Sequence, residues 1–128
     1  LLGKLMRVCG SDATSFNSPY SVYPLLRENF VRTAQLMRLP FYQLRPSLPV
    51  PGGGIHPATA VQIIKDLGHD VLLAVGGAIH GHPAGAEAGA RAMRQAVDAA
   101  VAGIPLSEKA REHTELRQAM ELWGEAAD

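Results

Sequence analysis

Two turns of this chain repeat one pattern, Gly-Gly-small-Ile-His: Gly52-Gly53-Gly54-Ile55-His56 and Gly76-Gly77-Ala78-Ile79-His80, offset by 24 residues. Each turn follows a short apolar run and precedes a helical pattern, so a strand-to-helix unit recurs with its turn chemistry intact. Strands that alternate with helical crossovers pair in parallel, which makes this an α/β chain. The rest of the text fits that frame. Residues 5–9 (Leu-Met-Arg-Val-Cys) read as a buried strand ending in the turn Gly10-Ser11-Asp12, and residues 10–24 as a long loop. A helix over 25–38 has Leu26, Phe30, Ala34 and Met37 on one face and is stopped by Pro40. Pro57 opens a short helix that ends at Gly68, and the wholly apolar residues 71–75 read as a strand buried on both faces. An alanine-rich helix over 86–102 carries Ala90, Met93, Val97 and Val101 on one side and stops at Gly103. Ser107 caps a last helix with Leu116, Met120 and Trp123 as its stripe and Gly124 as its end.

The composition narrows the function classes. The 128 residues suffice for one domain, with 47% apolar and 19% charged residues as in a folded soluble protein. Twelve basic residues balance twelve acidic ones, which argues against nucleic acid and anionic membrane surfaces as partners. The arginines at 27, 32 and 38 read as a solvated helix face. The single cysteine excludes an internal disulfide, and there is no long apolar span or cleavable leader, so a reducing cytoplasm is the expected compartment. Because the chain opens inside an apolar stretch without a methionine, it reads as a piece of a longer protein.

Paired glycines between a parallel strand and a helix let bare backbone N–H groups converge on an anion, helped by the helix dipole. In eight-stranded α/β barrels the loops after the last two strands commonly hold phosphate in this way. The alternative is that the glycines serve only tight turns and close packing. His56, His80 and His82 could present imidazoles to a metal, but no neighbouring Asp, Glu or Cys completes a ligand set; they read instead as helix caps or core hydrogen-bonders, and no metal site is assigned. Cys9 reads as a buried structural thiol rather than a nucleophile. Asp12 and Ser15, in the long loop, are candidates for acid–base or substrate contact, with turn formation as the competing role.

Three segments carry a resemblance to a known family. Lys4-Leu5-Met6-Arg7-Val8-Cys9-Gly10-Ser11-Asp12, Pro49-Val50-Pro51-Gly52-Gly53-Gly54-Ile55-His56 and Val75-Gly76-Gly77-Ala78-Ile79-His80-Gly81-His82-Pro83-Ala84-Gly85 resemble strands six to eight of the RuBisCO large-chain (β/α)8 TIM barrel. Asn17-Ser18-Pro19-Tyr20 and Ile79-His80-Gly81-His82-Pro83 are more similar to its non-carboxylating branch, the RuBisCO-like proteins. The resemblance implies that residues 1–105 are the last three strand–helix units of the barrel and 106–128 a helical extension. It implies a substrate-phosphate site at Gly53, Gly54, Gly76 and Gly77, since the family holds one phosphate on glycine amides after strands seven and eight. The second phosphate site of the carboxylases uses a histidine after strand six and a serine after strand seven; the matching positions here hold Ser15 and Gly52, so that site is dismantled. Carboxylases also carry a mobile lysine after strand six, and no lysine lies between Lys4 and Lys65. A singly phosphorylated, sugar-type substrate follows, in a Mg²⁺-dependent enolase, isomerase or decarboxylase of methionine salvage or sugar-acid catabolism. The resemblance places the Mg²⁺ ligands upstream of this chain and implies a homodimer. Three units cannot close a barrel of about 250 residues, so the chain alone is expected to lack catalytic power. A non-catalytic phosphate-binding or structural half-barrel is the competing reading.

Overall fold

The computed structural model describes residues 2–124. They form two compact units: one holds the chain up to Gly53 together with Asp70–Ala74, the other Gly54–His69 and everything from Val75 onward.

The first unit is built on parallel strands. Strand β1 (Ala13–Asn17) pairs in parallel with β2 (Leu48–Gly52), with Ala13 opposite Leu48 and Asn17 opposite Gly52. A third segment lies on the other side of β2: the N–H groups of Leu72 and Ala74 donate to the carbonyls of Pro49 (3.1 Å) and Pro51 (3.0 Å). In a parallel ladder the same β2 residues would return a bond to the third strand. Pro49 and Pro51 have no N–H to return. The expected strand over 71–75 is therefore reduced to a single parallel bridge, Gly52 to Ala74, and Leu72 and Ala74 are exposed rather than buried on both faces.

The expected strand over 5–9 is instead part of helix α1 (Leu2–Val8), and β1 lies inside the segment expected to be a loop. Arg7 explains the first change. Its side chain is buried, and its guanidinium donates to the carbonyls of Leu39 (2.9 Å), Leu44 (3.2 Å) and Arg45 (2.9 Å), over Phe41. In a helix, Gly3 and Arg7 share the face that meets the next helix, where a Cβ on Gly3 would sit 3.7 Å from Met37. Leu5, Met6 and Val8 stay exposed. Cys9, in the turn that follows, is exposed too, so it is not the buried thiol expected.

Helix α2 (Arg27–Arg38) packs on α1 and β2 and buries Phe30, Ala34 and Met37. Leu26, assigned to the same stripe from spacing, sits at the cap and is exposed. Phe16 of β1 meets Phe30 at 5.3 Å between ring centroids.

The second unit is helical. Helix α3 (Pro57–Leu67), with proline in its first turn and Gly68 as its cap, buries nearly one whole side. The one-turn helix α4 (Gly77–His80) packs on α5 (Ala86–Ala102), which also meets α3. The buried face of α5 is Gly89, Ala92, Met93, Ala96 and Ala99; the expected stripe keeps only Met93, because the seam is made by small residues that let neighbouring backbones approach. The expected last helix is two, α6 (Leu106–Glu112) and α7 (Thr114–Trp123), which break at the extended His113. Pro105, not Ser107, stands at the cap of α6, and Gly124 ends α7 as expected. Val61, Ala96, Ala110, Leu116 and Met120 form one apolar cluster. No helix among the described residues is long and apolar enough to cross a membrane.

The outer edge of β1 and the outer edge of 70–74 carry backbone groups with no strand beside them among the described residues, and Leu72 in the second of these segments is exposed. Such edges template association. The isolated 128-residue chain is expected to sediment as a dimer or larger species; a compact monomer with both edges protected from hydrogen exchange would show that the fold is self-contained.

Candidate phosphate site

The two glycine turns differ in why they hold glycine. At Gly53 the fold demands it: φ is +88°, and a Cβ would lie 2.5 Å from the Cβ of Ser21. Gly89 is equally constrained, with its Cβ position 2.2 Å from the carbonyl oxygen of Ile79. Gly76 and Gly77 are not. Neither has a positive φ, and no described atom lies within 4 Å of the Cβ either would carry. Tight packing, the competing explanation, does not account for that second pair among the described residues.

Gly76 and Gly77 open α4, whose first-turn N–H groups have no intrahelical partner by construction. The carbonyls, by contrast, are engaged: Gly76 accepts from Ile79 and His80 (both 3.1 Å), and Gly77 accepts from Gly81 (2.8 Å). Among the described residues no acceptor takes the N–H of Gly54, Gly76 or Gly77. Gly54, Gly76 and Gly77 belong to one unit; Gly53, Asp12 and Ser15 belong to the other.

Thr59 settles the neighbourhood of Gly54. Its hydroxyl accepts the N–H of His56 (2.8 Å) and faces the carbonyls of Gly54 (3.2 Å) and His56 (3.1 Å). His56 thus stands at the head of α3, half-buried, its ring 6.3 Å from that of Trp123 and nearly parallel to it. Burial lowers its pKa below the ordinary value for histidine, favouring the neutral ring. His82 is buried and doubly bonded. Its Nδ1 accepts from the N–H of Ala84 (3.1 Å), which leaves the proton on Nε2 to be donated to the carbonyl of Glu115 (2.9 Å). His82 thus has the core hydrogen-bonding role expected of it, and His56 occupies the N-cap position of α3. His80 ends α4 exposed.

Asp12 and Ser15 are exposed, and neither side chain hydrogen-bonds to a described residue. Asp12 contributes through its backbone, accepting from the N–H of Leu48 (2.8 Å), and Ser15 sits in the ladder opposite Val50. Among the described residues no three His, Cys, Asp or Glu side chains gather as a metal site.

Sequence reasoning noted Ser18 within Asn17-Ser18-Pro19-Tyr20 but gave it no role. It is fully buried, its hydroxyl donates to the carbonyl of Gly53 (2.5 Å) and accepts the N–H of Tyr20 (3.1 Å), and its own N–H donates to Gly52 (2.9 Å). Apart from that motif, the local signal is a serine beside a proline, the ordinary grammar of a turn. The one-turn helix α4 was also passed over; four residues are too few for a period. A cavity of about 340 Å³, lined by Val61, Lys65, Ala99, Ile104, Leu106 and Met120 among others, contains none of the expected site residues.

The catalytic-domain family of the ribulose bisphosphate carboxylase large chain matches residues 21–123. A ribulose bisphosphate carboxylase-like protein of Archaeoglobus fulgidus is 42% identical over 118 residues, which cover 92% of this chain and 27% of that protein. A 2,3-diketo-5-methylthiopentyl-1-phosphate enolase of Bacillus cytotoxicus is 42% identical over 97% of this chain and 30% of its own length. Among solved structures, a rubisco-like protein (MtnW) of Alicyclobacillus acidocaldarius matches with a TM-score of 0.87 at 43% identity, covering 96% of this chain and 31% of that one. The chain thus spans less than a third of the length of the relatives it matches.

Proposed function

Since the chain belongs to the ribulose bisphosphate carboxylase large-chain family, we propose that it supplies the phosphate-binding part of a RuBisCO-like enolase, isomerase or decarboxylase that takes a singly phosphorylated, sugar-type substrate. In this reading it corresponds to strands six to eight of the barrel. The observation that carries the proposal is the pair Gly76 and Gly77: among the described residues nothing accepts their N–H groups and nothing fills the space where side chains would stand. An anion in that space would accept from those N–H groups.

The relatives favour the enolase among these. Several are named 2,3-diketo-5-methylthiopentyl-1-phosphate enolases, and that substrate carries one phosphate. Ser15 and Gly52, where the resemblance would set the holders of a second phosphate in a carboxylase, offer no imidazole and no hydroxyl at the glycine turn. The role of the described residues is positional. Gly54, Gly76 and Gly77 hold the phosphate by their amides, and binding energy from that remote group orients the carbonyl whose α-proton is removed. In this reading the parent enzyme is a cytoplasmic homodimer. Magnesium, where the parent uses it, would polarise the substrate's oxygens; in this reading its ligands lie upstream of this chain.

The intact protein is expected to exchange the α-proton of a singly phosphorylated ketose with solvent deuterium in the presence of Mg²⁺, read by NMR, and to fix no labelled CO₂ on ribulose bisphosphate. Fixation would refute the proposal, because no lysine is available between Lys4 and Lys65 to close over that substrate.

A further inference from the structure

We propose that His56 is an acid-sensitive clasp between the head of α3 and the end of α7: neutral, its ring lies against Trp123, and once protonated it parts from it. Both residues belong to one compact unit, in which α3 packs on α7. The two rings stand 6.3 Å apart between centroids, with 18° between their planes, an offset stack. The indole also meets the loop that follows α4: the ring of His82 lies 6.5 Å from it, and a Cβ on Gly81 would stand 3.6 Å from its edge. Trp123 is thus where α7 touches both the head of α3 and that loop.

The geometry tolerates the neutral ring and resists the charged one. A neutral imidazole keeps one bare nitrogen, whereas the imidazolium carries an N–H on both. Nδ1 of His56 is buried with no hydrogen-bond partner among the described residues. It stands at the N-cap of α3, beside the N–H groups of a first turn, so a bare nitrogen is at ease there and an N–H would meet donors and no acceptor. The positive pole of the helix dipole opposes a cation at the same place. A cation over the indole face would be the compensating gain, but 6.3 Å lies beyond the reach of about 6 Å at which that attraction counts. Burial lowers the pKa of His56, and no charged neighbour contributes. The groups on the surrounding elements are engaged elsewhere: His82 with Ala84 and the Glu115 carbonyl, the Glu115 carboxylate with Gln95 and Arg91, Glu121 with Arg117, and on α5 Glu87 with Arg91 and Arg94 with Asp98. His80 ends α4 exposed, and Lys65 and Asp66 lie at the far end of α3. The clasp is therefore at full strength above the ordinary histidine value of about 6.5. It weakens as the pH falls below that, because the parted ring takes up a proton that the stacked ring resists.

The test uses the intact protein labelled with 5-fluorotryptophan, the ¹⁹F line of Trp123 being the one lost in Trp123→Phe. Between about pH 8 and about pH 5 that line is expected to titrate once, with a midpoint below about 6.5. Its isotope shift on exchanging H₂O for D₂O, which measures contact with solvent, should grow on the acid side as the rings part. In His56→Gln, which cannot charge, the line should hold one position across the range. A line that does not move with pH overturns the clasp, as does a titration that persists unchanged in His56→Gln. So does a midpoint at or above 6.5, since the stack would then favour the cation. A titration with a constant isotope shift is equally adverse, because the ring would charge without leaving. Should His56→Gln fail to fold, His56→Asn, which carries a good N-cap side chain, is read by the same criteria.

Discussion

Gly76→Asp is expected to abolish phosphate binding while leaving the melting temperature of the intact protein unchanged. The position allows a clean electrostatic experiment, because no described atom lies within 4 Å of the Cβ and φ is −126°. The new side chain therefore meets no described neighbour. A carboxylate about 4 Å from a bound anion repels it by roughly 4 kcal/mol at an effective dielectric of 20, about a thousandfold in affinity. Titration calorimetry with inorganic phosphate reads the loss. Gly76→Ala separates charge from bulk: it places the same Cβ without the charge and is expected to weaken binding by much less. Binding by Gly76→Asp within tenfold of the parent would remove Gly76 from the site.

Gly89→Ala should have the opposite profile, with stability lost first. Two effects compete at this helical position. Alanine in place of glycine inside a helix gains about 1 kcal/mol. Against that, the new methyl would stand 2.2 Å from the carbonyl oxygen of Ile79 and 2.8 Å from its Cα and carbonyl carbon. Those are backbone atoms, unable to swing aside as a side-chain end can, and overpacking of this kind costs typically 1–3 kcal/mol and sometimes more. The steric cost wins, and a net loss of about 2 kcal/mol is expected in denaturant titration. Because Ile79 belongs to α4, relief of the clash moves that helix off α5 and carries the N–H groups of Gly76 and Gly77 with it. Phosphate affinity should fall in parallel. A stabilised Gly89→Ala would mean that α4 does not rest on α5 at this point.

Helices α2, α3 and α5 were legible because their causes are local. Proline at the head of α3, glycine after α3 and α5, and a 3.6-residue spacing in α2 are all read within a dozen positions. The run before the first glycine turn was legible too, as β2 (Leu48–Gly52), but the start of the chain was not. Residues 5–9 have the apolar content of a strand, yet Arg7 finds its three carbonyl acceptors 32 to 38 positions away, and nothing nearby in the text announces them. Ala13–Asn17, with no aliphatic residue larger than alanine, has no strand signature of its own; it is extended because Leu48–Gly52 lies beside it. The same division runs through the candidate site. The glycine turns stand out as a repeat, and the open space at Gly76 and Gly77 is what a ligand reading needs. Ser18, whose partner Gly53 lies 35 positions on, could not be assigned without the fold.

Pro49 and Pro51 have a consequence for the time before the fold is complete. On the side of β2 that receives residues 70–74, these two positions can accept hydrogen bonds but cannot donate them. Until that segment arrives, the newly formed face of β2 is chemically one-sided. A stray strand from another nascent chain would need reciprocal bonding to zip onto it, and every second bond is missing. The native segment tolerates the same deficit because it is tethered to β2 by only the seventeen residues between Gly52 and Asp70, so closure is intramolecular and its effective concentration is high. The prolines thus withhold the same bonds from the native segment and from a wrong partner, and only the native segment has the tether that offsets the loss.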